Sequence, residues 1–600
     1  MRRGPERAVK DRSGRSPGEG RCIFPLLIRR SHPSPQPMPL IRTWRVAALL
    51  AATLCGVSLL AFRAAPPAPA LVVVVVVDQM RGDYLQRWQG QWQGGFARLL
   101  TQGAVFPHGF QEHAITSTAP GHSTILSGRD PARTRIYDNQ HGVRDTTAPL
   151  VGGVEGPGAS PFRFRGTTLV DWMWQSDSNL RVLSIAGKDR AAILTVGTRR
   201  TAVFWTLRGR LTTSTYYAES LPSWATAWNE RRGAEKLAGR SWALLLPDSA
   251  YPEPDDAEGE DREGSRVFPH TFSNDSGKAT ALVGDTPWSD SLVLDAALTG
   301  ARAMGLGQRD HPDVLVLGLS ATDLIGHQFG PDSREVHDQL LRADQWLGWF
   351  LDSLATMVPA QRTIIALSSD HGVSRIPEVA QARGETGGRA SLGPLLREVN
   401  RRLGLSKEDS TALTESEGLI LGNPAGLREM KVSPESLATT LLTAVWRVPG
   451  VKDAWTPATL AGAIPSSRDA ARWSRTIPSG PPSPGVAAPP PGGARGEPPG
   501  PPGHGPAREG DASGSGGLPW FVAASLKPGW VWGGTPGHAD HGTTSDDDAS
   551  VPIVFLGPGI RRGIFPDTVL TVDIAPTLAH LLGLEVPRRV DGRRIRRVSQ

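Results

Sequence analysis

Six carboxylate and imidazole side chains are spaced along the chain in a pattern that suits metal binding. They are Asp78, Asp323, His327, Asp370, His371 and His541. Hard carboxylate oxygens combined with borderline imidazole nitrogens favour zinc, and manganese or iron are compatible alternatives. The four-residue spacing of Asp323 and His327 places both on one face of a helical turn. Six ligands divide into two sets of three, and two metal ions about 4 Å apart are a known arrangement for phosphoryl transfer.

The stretch TSTAPGHSTILSGRDP, residues 116–131, supplies hydroxyl groups that could act as a nucleophile. Thr116, Ser117, Thr118 and Ser123 are the competing candidates. An alcohol has a pKa far above 7, but a Zn²⁺ ion acidifies an oxygen that it binds, as it does bound water. A helix predicted to begin at Thr118 would add backbone N–H groups and the positive end of its dipole. The stretch is therefore a candidate nucleophile loop if a metal site lies beside it.

Buried strands must position these groups. LVVVVVVDQM predicts a strand ending just before Asp78, and similar apolar runs occur at 314–319, in RTIIALSSDHG and at 551–556. Helical patterns alternate with the runs, most clearly at 332–354. The alternation predicts an α/β fold with a doubly wound, mostly parallel sheet, in which ligands bind outside the carboxyl ends of the strands. A single Asp at a strand end usually caps a helix or turn, so the shared position is what favours a site.

Two long stretches interrupt this pattern within a catalytic domain predicted over 71–600. Residues 200–284 are polar and contain several tryptophans, which favours a cap over the site. Residues 376–530 form a second insertion, predicted as a further cap. Within it, 479–517 are too rich in Pro and Gly to pack a core and are predicted to be disordered.

The amino-terminal segment resembles a targeting signal. Residues 1–70 carry 12 Lys and Arg against 3 Asp and Glu. From Met38, a short cationic region precedes an apolar run at 46–62 and small residues ending at Ala70, the pattern of a signal peptide over 38–70. An uncleaved membrane anchor is the alternative. Residues 1–37 form an upstream basic segment that we interpret as preceding the true start. The prediction is a periplasmic or secreted protein.

Charge and cysteine content exclude several function classes. Beyond residue 70 the chain carries 53 basic and 56 acidic residues, so no nucleic-acid-binding surface is expected. The only cysteines are Cys22 and Cys55. A chain cleaved after Ala70 therefore has no disulfide, thiolate metal site or cysteine nucleophile. Without its signal it is also expected to lack stable membrane association.

Eight motifs in order along the chain resemble one family. They are VVVVVVDQMRGD, TAPGHSTILSG, DNQHG, GKDRAAI, SATDLIGH, SSDHGV, HGTTSDDDASVPIVFLGPG and TVDIAPTLAHLLGL. The chain is similar to the alkaline phosphatase superfamily, and most of all to its type I phosphodiesterase/nucleotide pyrophosphatase-like branch. That branch includes the threonine-nucleophile alkaline phosphatases. The resemblance covers most of 71–595 outside the Pro/Gly-rich stretch.

The resemblance implies a role for each site residue. One zinc ion would be bound by Asp78, Asp370 and His371, with the Thr118 oxygen as a bridge. A second zinc ion would be bound by Asp323, His327 and His541, for which His538 is a rival. Asn139 would donate to a phosphate oxygen. Lys188 and Arg190 resemble the pair that contacts the transferred phosphoryl group in the monoesterase branch, which the diesterase branch lacks.

These roles predict a two-zinc phosphate monoester hydrolase that forms a phosphothreonine and acts on small-molecule phosphate esters. Two cations suit a monoester dianion better than a diester monoanion. Three alternatives stay open: a phosphodiesterase or nucleotide pyrophosphatase on the same scaffold, a phosphotransferase with a lipid or glycan acceptor, and a metal-free binding protein.

Overall fold

The computed structural model describes residues 67–231, 233–257, 267–402, 412–423, 432–477 and 519–599. The upstream basic segment, the predicted signal peptide as far as residue 66 and the Pro/Gly-rich stretch 479–517 lie outside these residues. Among the residues that the structure describes, no helix is both long and apolar enough to span a membrane.

The strands and helices alternate along the described chain. The strands are β1 Leu71–Val77, β2 Ala104–Phe110, β3 Leu150–Val151, β4 Val182–Ala186, β5 Ala202–Leu207, β6 Arg210–Ser214, β7 Ser241–Trp242, β8 His270–Thr271, β9 Asp313–Leu319, β10 Thr363–Ser368, β11 Gly388–Ala390, β12 Leu413–Ser416, β13 Leu419–Gly422, β14 Val451–Trp455, β15 Trp520–Leu526, β16 Trp530–Trp532, β17 Ser550–Leu556, β18 Gly563–Ile564 and β19 Val569–Leu570. The α-helices are α1 Tyr84–Arg87, α2 Gly95–Gln102, α3 Thr118–Ile125, α4 Pro131–Thr134, α5 Leu169–Ser176, α6 Asp189–Val196, α7 Ser223–Glu230, α8 Ser276–Ala281, α9 Trp288–Met304, α10 Ala321–Phe329, α11 Arg334–Ala355, α12 Pro377–Ala382, α13 Gly393–Arg402, α14 Pro434–Val445, α15 Pro457–Ala463, α16 Arg468–Thr476, α17 Asp546–Ala549 and α18 Ile574–Leu581.

Strand β1 lies inside an eleven-stranded sheet and pairs in parallel with β9 and β10. All seven of its residues are apolar and buried. A run of this kind, rich in β-branched valine, suits a parallel strand that is covered on both faces. Its side chains alternate between two buried clusters, with Val73 in one and Val74 in the other. The predicted α/β class with a mostly parallel sheet is confirmed.

The last predicted strand differs from expectation in its direction. Strand β17 occurs where the apolar run predicts it, but it pairs antiparallel with β10 and with β2. Its amino end therefore lies at the same edge of the sheet as the carboxyl end of β10. Backbone bonds confirm this neighbourhood, because Gly372 N donates to Asp548 O at 2.6 Å. This direction brings the segment before β17 to the edge where β1, β9 and β10 end.

The stretch predicted as a first cap contributes partly to the sheet instead. Strand β5 pairs in parallel with β4, and β6 continues the sheet antiparallel to β5. Further along, Trp242 and Tyr251 both donate to the Asp338 carboxylate on α11, at 2.6 and 2.7 Å. Five of the six residues of β5 are apolar, and a short continuous run of this kind has no period that distinguishes a strand from a helix segment, which is why the pattern alone missed the strand.

The second insertion builds a separate four-stranded antiparallel sheet with the order β12-β13-β15-β14. Its strands and the helices α13 and α14 share a buried apolar cluster. A second cluster joins Leu419 of β13 and Trp473 of α16 to Ile115, three residues before Thr118. The described part of this insertion therefore packs directly against the predicted nucleophile loop.

A buried carboxyl group links three helices of the main layer and makes stability depend on pH. Asp290 of α9 accepts from Ala321 N at 3.0 Å and from Gln339 Nε2 at 2.8 Å. Burial raises its pKa to about 7, against about 3.9 in an unfolded chain. Since the folded pKa is the higher one, the group's contribution to stability is full below about pH 4 and is lost as the pH rises through about 7.

We therefore expect Asp290→Asn to flatten the pH dependence of the free energy of unfolding. Between pH 5 and pH 8 the parent protein should lose about 3 kcal/mol more than the variant. Urea unfolding at a series of pH values measures the difference. Asp310→Asn, at an exposed position, is the control. Parallel curves for the parent and Asp290→Asn would contradict the expectation.

Candidate active site

One edge of the central sheet gathers the predicted metal ligands. Asp78 directly follows β1, Asp370 follows β10 by two residues, and Asp323 lies in the first turn of α10 after β9. The register aligns these strand ends, because Val76 lies opposite both Gly318 and Ser368. Since β17 runs antiparallel, His541 reaches the same edge from the segment before its strand.

Asp78, Asp370 and His371 form one compact group. Each offers a ligand atom within 4.8 Å of the others, and all three side chains are buried. His371 Nε2 lies 3.5 Å from Asp78 Oδ1 and 3.5 Å from Asp370 Oδ2. The structure thus brings together the three residues of the first predicted set.

The second predicted set is also assembled, with additional neighbours. Asp323 Oδ1 lies 3.3 Å from His327 Nε2 and 3.6 Å from His541 Nε2. His371 also belongs to the cluster with Asp323 and His541, and Asp540 joins His327 and His541. Sequence reasoning missed Asp540, although it directly precedes His541. The rival His538 belongs to none of the clusters found among the described residues.

The three histidines are oriented in the same way. Nδ1 of each ring is bonded to a backbone carbonyl: His371 to Gly372 O at 2.9 Å, His327 to Ala539 O at 2.8 Å and His541 to Thr116 O at 2.9 Å. A histidine that donates from one nitrogen presents the other as a free ligand, which is how metal-binding imidazoles are held in proteins. All three Nε2 atoms accordingly face the cluster of aspartate carboxylates formed by Asp78, Asp323 and Asp370.

Lys188 lies between the buried carboxylates of Asp78 and Asp323. Its ammonium is 2.7 Å from Asp78 Oδ2 and 2.5 Å from Asp323 Oδ2, and it is 3.4 Å from Thr118 Oγ1. Asp78 Oδ1 is buried without a hydrogen-bond partner. A buried carboxylate oxygen of this kind, beside imidazole nitrogens, is the donor set that a divalent cation satisfies. The residues present therefore fit metal ions.

Burial and mutual charge shift the pKa values of the group strongly. Burial, reinforced by the nearby Asp370, raises the pKa of Asp78 well above its ordinary value. Burial acts in the same direction on Asp323, but the charges of Lys188 and His327 outweigh it and hold the pKa of Asp323 well below the usual range. Burial opposes the charge of His541, yet the nearby Asp323 carboxylate raises the pKa of the ring to about 10. Several buried carboxylates lie close together here, and positive charge must lie beside them to offset their negative charge.

Thr118 is the first residue of α3 and is buried. Its Oγ1 lies 3.5 Å from His371 Nε2, beside both groups of ligands. The competing hydroxyls are engaged elsewhere. Thr116 Oγ1 donates to Thr543 O at 2.9 Å, Ser117 Oγ to Glu417 Oε2 at 2.5 Å, and Ser123 Oγ to Pro120 O at 2.7 Å. Of the four candidates, Thr118 has the hydroxyl that lies beside His371 and Lys188.

Asn139 and Arg190, the other two predicted phosphate contacts, do not bond to the predicted metal ligands. Asn139 Oδ1 accepts from Ala119 N at 2.8 Å, which holds the amide at the start of α3 next to Thr118. This bond leaves the Asn139 amide N–H groups available for another acceptor. Arg190 Nη1 lies 3.6 Å from the neighbouring Asp189 carboxylate. The structure thus places Lys188 among the carboxylates of the site, whereas Arg190 contacts only its sequence neighbour Asp189 in the ion pair given above.

Gln79, which the sequence did not single out, joins the two groups of ligands. It is buried, and its φ of 62° is unusual for a residue with a side chain. Its backbone N–H donates to Asp370 Oδ1 at 3.1 Å, and its side-chain amide donates to Asp323 Oδ1 at 2.8 Å. Gly326 makes room for it, since a Cβ there would lie 2.0 Å from Gln79 Oε1. The available sequence signals were its adjacency to Asp78 and its place in the motif VVVVVVDQMRGD.

Two further residues at the site were also missed. His122 Nδ1 lies 2.9 Å from Thr118 O and 3.1 Å from Asp370 Oδ2. Glu417, from the second insertion, bonds to Ser117, and burial raises the pKa of its carboxyl group to about 7. His122 lies within the quoted motif TAPGHSTILSG, but Glu417 is some 300 residues away from the nucleophile loop, so no local pattern indicates it.

Known proteins resemble this chain in sequence. Residues 72–386 match the family model described as type I phosphodiesterase / nucleotide pyrophosphatase. Alkaline phosphatase PafA of Elizabethkingia meningoseptica is 35% identical over 343 residues, which are 53% of this chain and 62% of that protein. Alkaline phosphatase PhoV of Synechococcus elongatus is 34% identical over 329 residues, which are 52% of this chain and 60% of that protein. The matched segment thus spans about three fifths of these relatives.

The fold is also shared with a solved structure. The crystal structure of wild type alkaline phosphatase PafA superimposes with a TM-score of 0.75 and 25% identity, covering 89% of this chain and 99% of that chain. The family model spans more than half of the chain and includes β1, the nucleophile loop, Lys188 and the strand ends that position Asp323 and Asp370. This chain therefore belongs to the type I phosphodiesterase/nucleotide pyrophosphatase family.

Proposed function

We propose that this protein is a metal-dependent phosphate monoester hydrolase of the alkaline phosphatase type. The observation that carries the proposal is that six predicted metal ligands cluster at one edge of the sheet, where His371 and Lys188 lie within 3.5 Å of the buried Thr118 Oγ1. The relatives named alkaline phosphatases, PafA and PhoV, support the same activity. Small-molecule phosphate esters are the proposed substrates.

We assign the metal as two zinc ions per chain. Asp78, Asp370 and His371 would hold one ion, and Asp323, His327 and His541 would hold the other. When bound, such ions stabilise negative charge on the attacking and departing oxygens of a phosphoryl group. Mixed carboxylate and imidazole donors are the basis for choosing zinc. Elemental analysis of the purified full chain tests both identity and number.

Thr118 is the proposed nucleophile. Its Oγ1 would lose its proton and form a bond to phosphorus as the bond from phosphorus to the ester oxygen breaks, and the departing alcohol takes up a proton. Water would then replace Oγ1 on phosphorus, which releases inorganic phosphate and restores the threonine. Asn139, anchored beside Thr118 by its bond to Ala119 N, has amide N–H groups with which to orient the phosphoryl oxygens. Arg190 is the second proposed phosphoryl contact.

Lys188 is the proposed determinant of preference for monoesters. Its ammonium lies 3.4 Å from Thr118 Oγ1. The charge of Lys188 is therefore next to the proposed nucleophile and not remote from it. A monoester dianion carries one more charged oxygen than a diester monoanion, so a cation at this point favours the monoester. The second candidate function, phosphodiester hydrolysis, is favoured by the description of the matched family.

Lys188→Ala is expected to reduce kcat/KM for an aryl phosphate monoester by about a hundredfold and to affect a bis-aryl diester much less. Both substrates are assayed on the same preparations, with metal content measured in parallel because Lys188 also contacts Asp78 and Asp323. Lys452→Ala, at a half-exposed lysine paired with Asp469, is the matched control. A parent enzyme that hydrolyses the diester faster would favour the second candidate.

We also propose that the protein is exported, with cleavage of the segment over 38–70, and that the second insertion caps the site. Amino-terminal sequencing of the protein from cell fractions tests the first point. A mature chain beginning near residue 71 in the periplasm or medium is the expected result. Retention of the apolar run at 46–62 would instead favour phosphotransfer to a non-water acceptor.

A further inference from the structure

The β12–β13 hairpin of the second insertion has an unusual turn. Ser416 and Leu419 pair across it, so Glu417 and Gly418 form a two-residue loop. Both have positive φ, 48° for Glu417 and 87° for Gly418. Such loops favour Asn or Asp followed by Gly, because their first residue must adopt a left-handed conformation. A glutamate there is strained, and strain of this kind concentrates at functional positions.

The Glu417 carboxylate bonds to the residue directly before Thr118. Glu417 Oε2 accepts from Ser117 Oγ at 2.5 Å. Ser117 is the N-cap of α3, a position where a serine usually accepts from the backbone N–H groups of the first turn. No such capping bond occurs here. The hydroxyl is directed instead to a side chain 300 residues away, so the local helix cap has been replaced by a tertiary contact.

The same carboxylate also lies against the segment that carries His541. A Cβ built on Gly542 would come within 2.6 Å of Glu417 Oε2. His541 in turn bonds through Nδ1 to Thr116 O at 2.9 Å. The carboxylate therefore lies between two stretches that the proposed reaction requires, the nucleophile loop and the loop of His541.

Strand pairing and packing hold the hairpin in this position. Strand β13 pairs with β15 on its other side. Leu419, two residues after Glu417, is fully buried in a cluster that includes Ile115. Packing thus fixes the backbone on both sides of the contact, so the bond between Ser117 and Glu417 joins the start of α3 to the inserted sheet.

We propose that Glu417 is a positioning residue for the reaction, through which the inserted sheet fixes Ser117 and thereby the start of α3 and the Thr118 hydroxyl. This inference rests on the proposed role of Thr118. Glu417 acts as a hydrogen-bond acceptor for Ser117 and does not touch the substrate. The second insertion is accordingly part of the catalytic assembly.

A double-mutant cycle tests the inference on the full chain. Glu417→Ala and Ser117→Ala should each lower kcat for an aryl phosphate monoester by about ten- to a hundredfold, with little change in KM, because a small displacement of a nucleophile is costly. The double variant should be no slower than the slower single variant. Glu417→Gln should restore most of kcat, since its amide oxygen can still accept from Ser117. Glu415→Ala, two residues earlier in the hairpin, is the matched control and should keep the parent kcat.

Several results would overturn the inference. Multiplicative effects in the double variant would show that the two residues act independently. Failure of Glu417→Gln to rescue kcat would assign the effect to charge instead of to the bond with Ser117. An equal loss in Glu415→Ala, or a melting temperature lowered in step with kcat, would indicate a general role in folding. If Glu417→Ala is fully active while Thr118→Ala is inactive, the positioning role fails and the proposed function stands.

Discussion

Thr118→Ala is expected to lower kcat for aryl phosphate monoesters by about a thousandfold or more, because no other hydroxyl in the loop can take its place. Thr116, Ser117 and Ser123 each donate to another acceptor, whereas Thr118 Oγ1 faces His371 and Lys188. Steady-state assays measure the loss. Rapid quenching of the parent enzyme followed by mass spectrometry should find a phosphoryl group on Thr118.

Two variants sharpen this experiment. Thr118→Ser keeps a hydroxyl oxygen at the same position, as a primary instead of a secondary alcohol, and should retain part of the activity. Ser123→Ala removes a buried hydroxyl that bonds to Pro120 O and Thr134, five residues from Thr118, and should retain turnover. Unchanged hydrolysis in Thr118→Ala would refute the proposed nucleophile. Loss in Ser123→Ala with a normal melting temperature would transfer the role to Ser123.

Removal of metal ions is expected to reduce activity by at least about a hundredfold, because charge stabilisation by the ions supplies several kcal/mol to such reactions. Dialysis against a chelator should bring the metal content of the purified chain from about two ions to near zero. Added Zn²⁺ should restore both metal content and activity. Melting temperature should fall on removal, since a ligand present at a thousand times its Kd contributes about 4 kcal/mol to stability.

Variants of single ligand residues show how much of the metal-dependent activity belongs to each of the two proposed metal sites. Asp370→Asn should lower occupancy of the group formed with Asp78 and His371. Asp323→Asn should lower occupancy of the group formed with His541, and it also removes a contact of Lys188. Asp352→Asn, in an exposed pair with Arg98, is a neutral control. A chain that contains no metal as purified and is insensitive to chelation would contradict the two-ion proposal.

The sequence predicted the parallel part of the sheet and the identity of the groups at its edge. Long apolar runs such as Leu71–Val77 favour burial on both faces, so the positions and the ends of these strands can be read from the sequence. The residues that follow these runs, Asp78 and Asp370, then lie at one edge of the sheet as a matter of topology. The choice of Thr118 among four hydroxyls required the resemblance to a known family, because residue type alone does not distinguish them.

The direction of β17 could not be predicted from the local sequence pattern. An apolar run has the same composition whether it pairs parallel or antiparallel, and the choice depends on how the preceding loop crosses the sheet edge. That choice decides whether His541 meets Asp323 or lies at the opposite edge. The two strands at 202–214 were missed for a related reason, since pairing with β4 stabilises a segment too short to show periodicity.

Apolar runs and motif order thus established the fold class, the sheet edge and the six candidate ligands, because burial and topology act on the chain segment by segment. Contacts between distant segments came from packing. Lys188 between Asp78 and Asp323, Gln79 across Asp370 and Asp323, and Glu417 on Ser117 each join residues far apart in the chain. Side-chain bonds of this kind depend on where two backbones come to rest, which no single segment encodes.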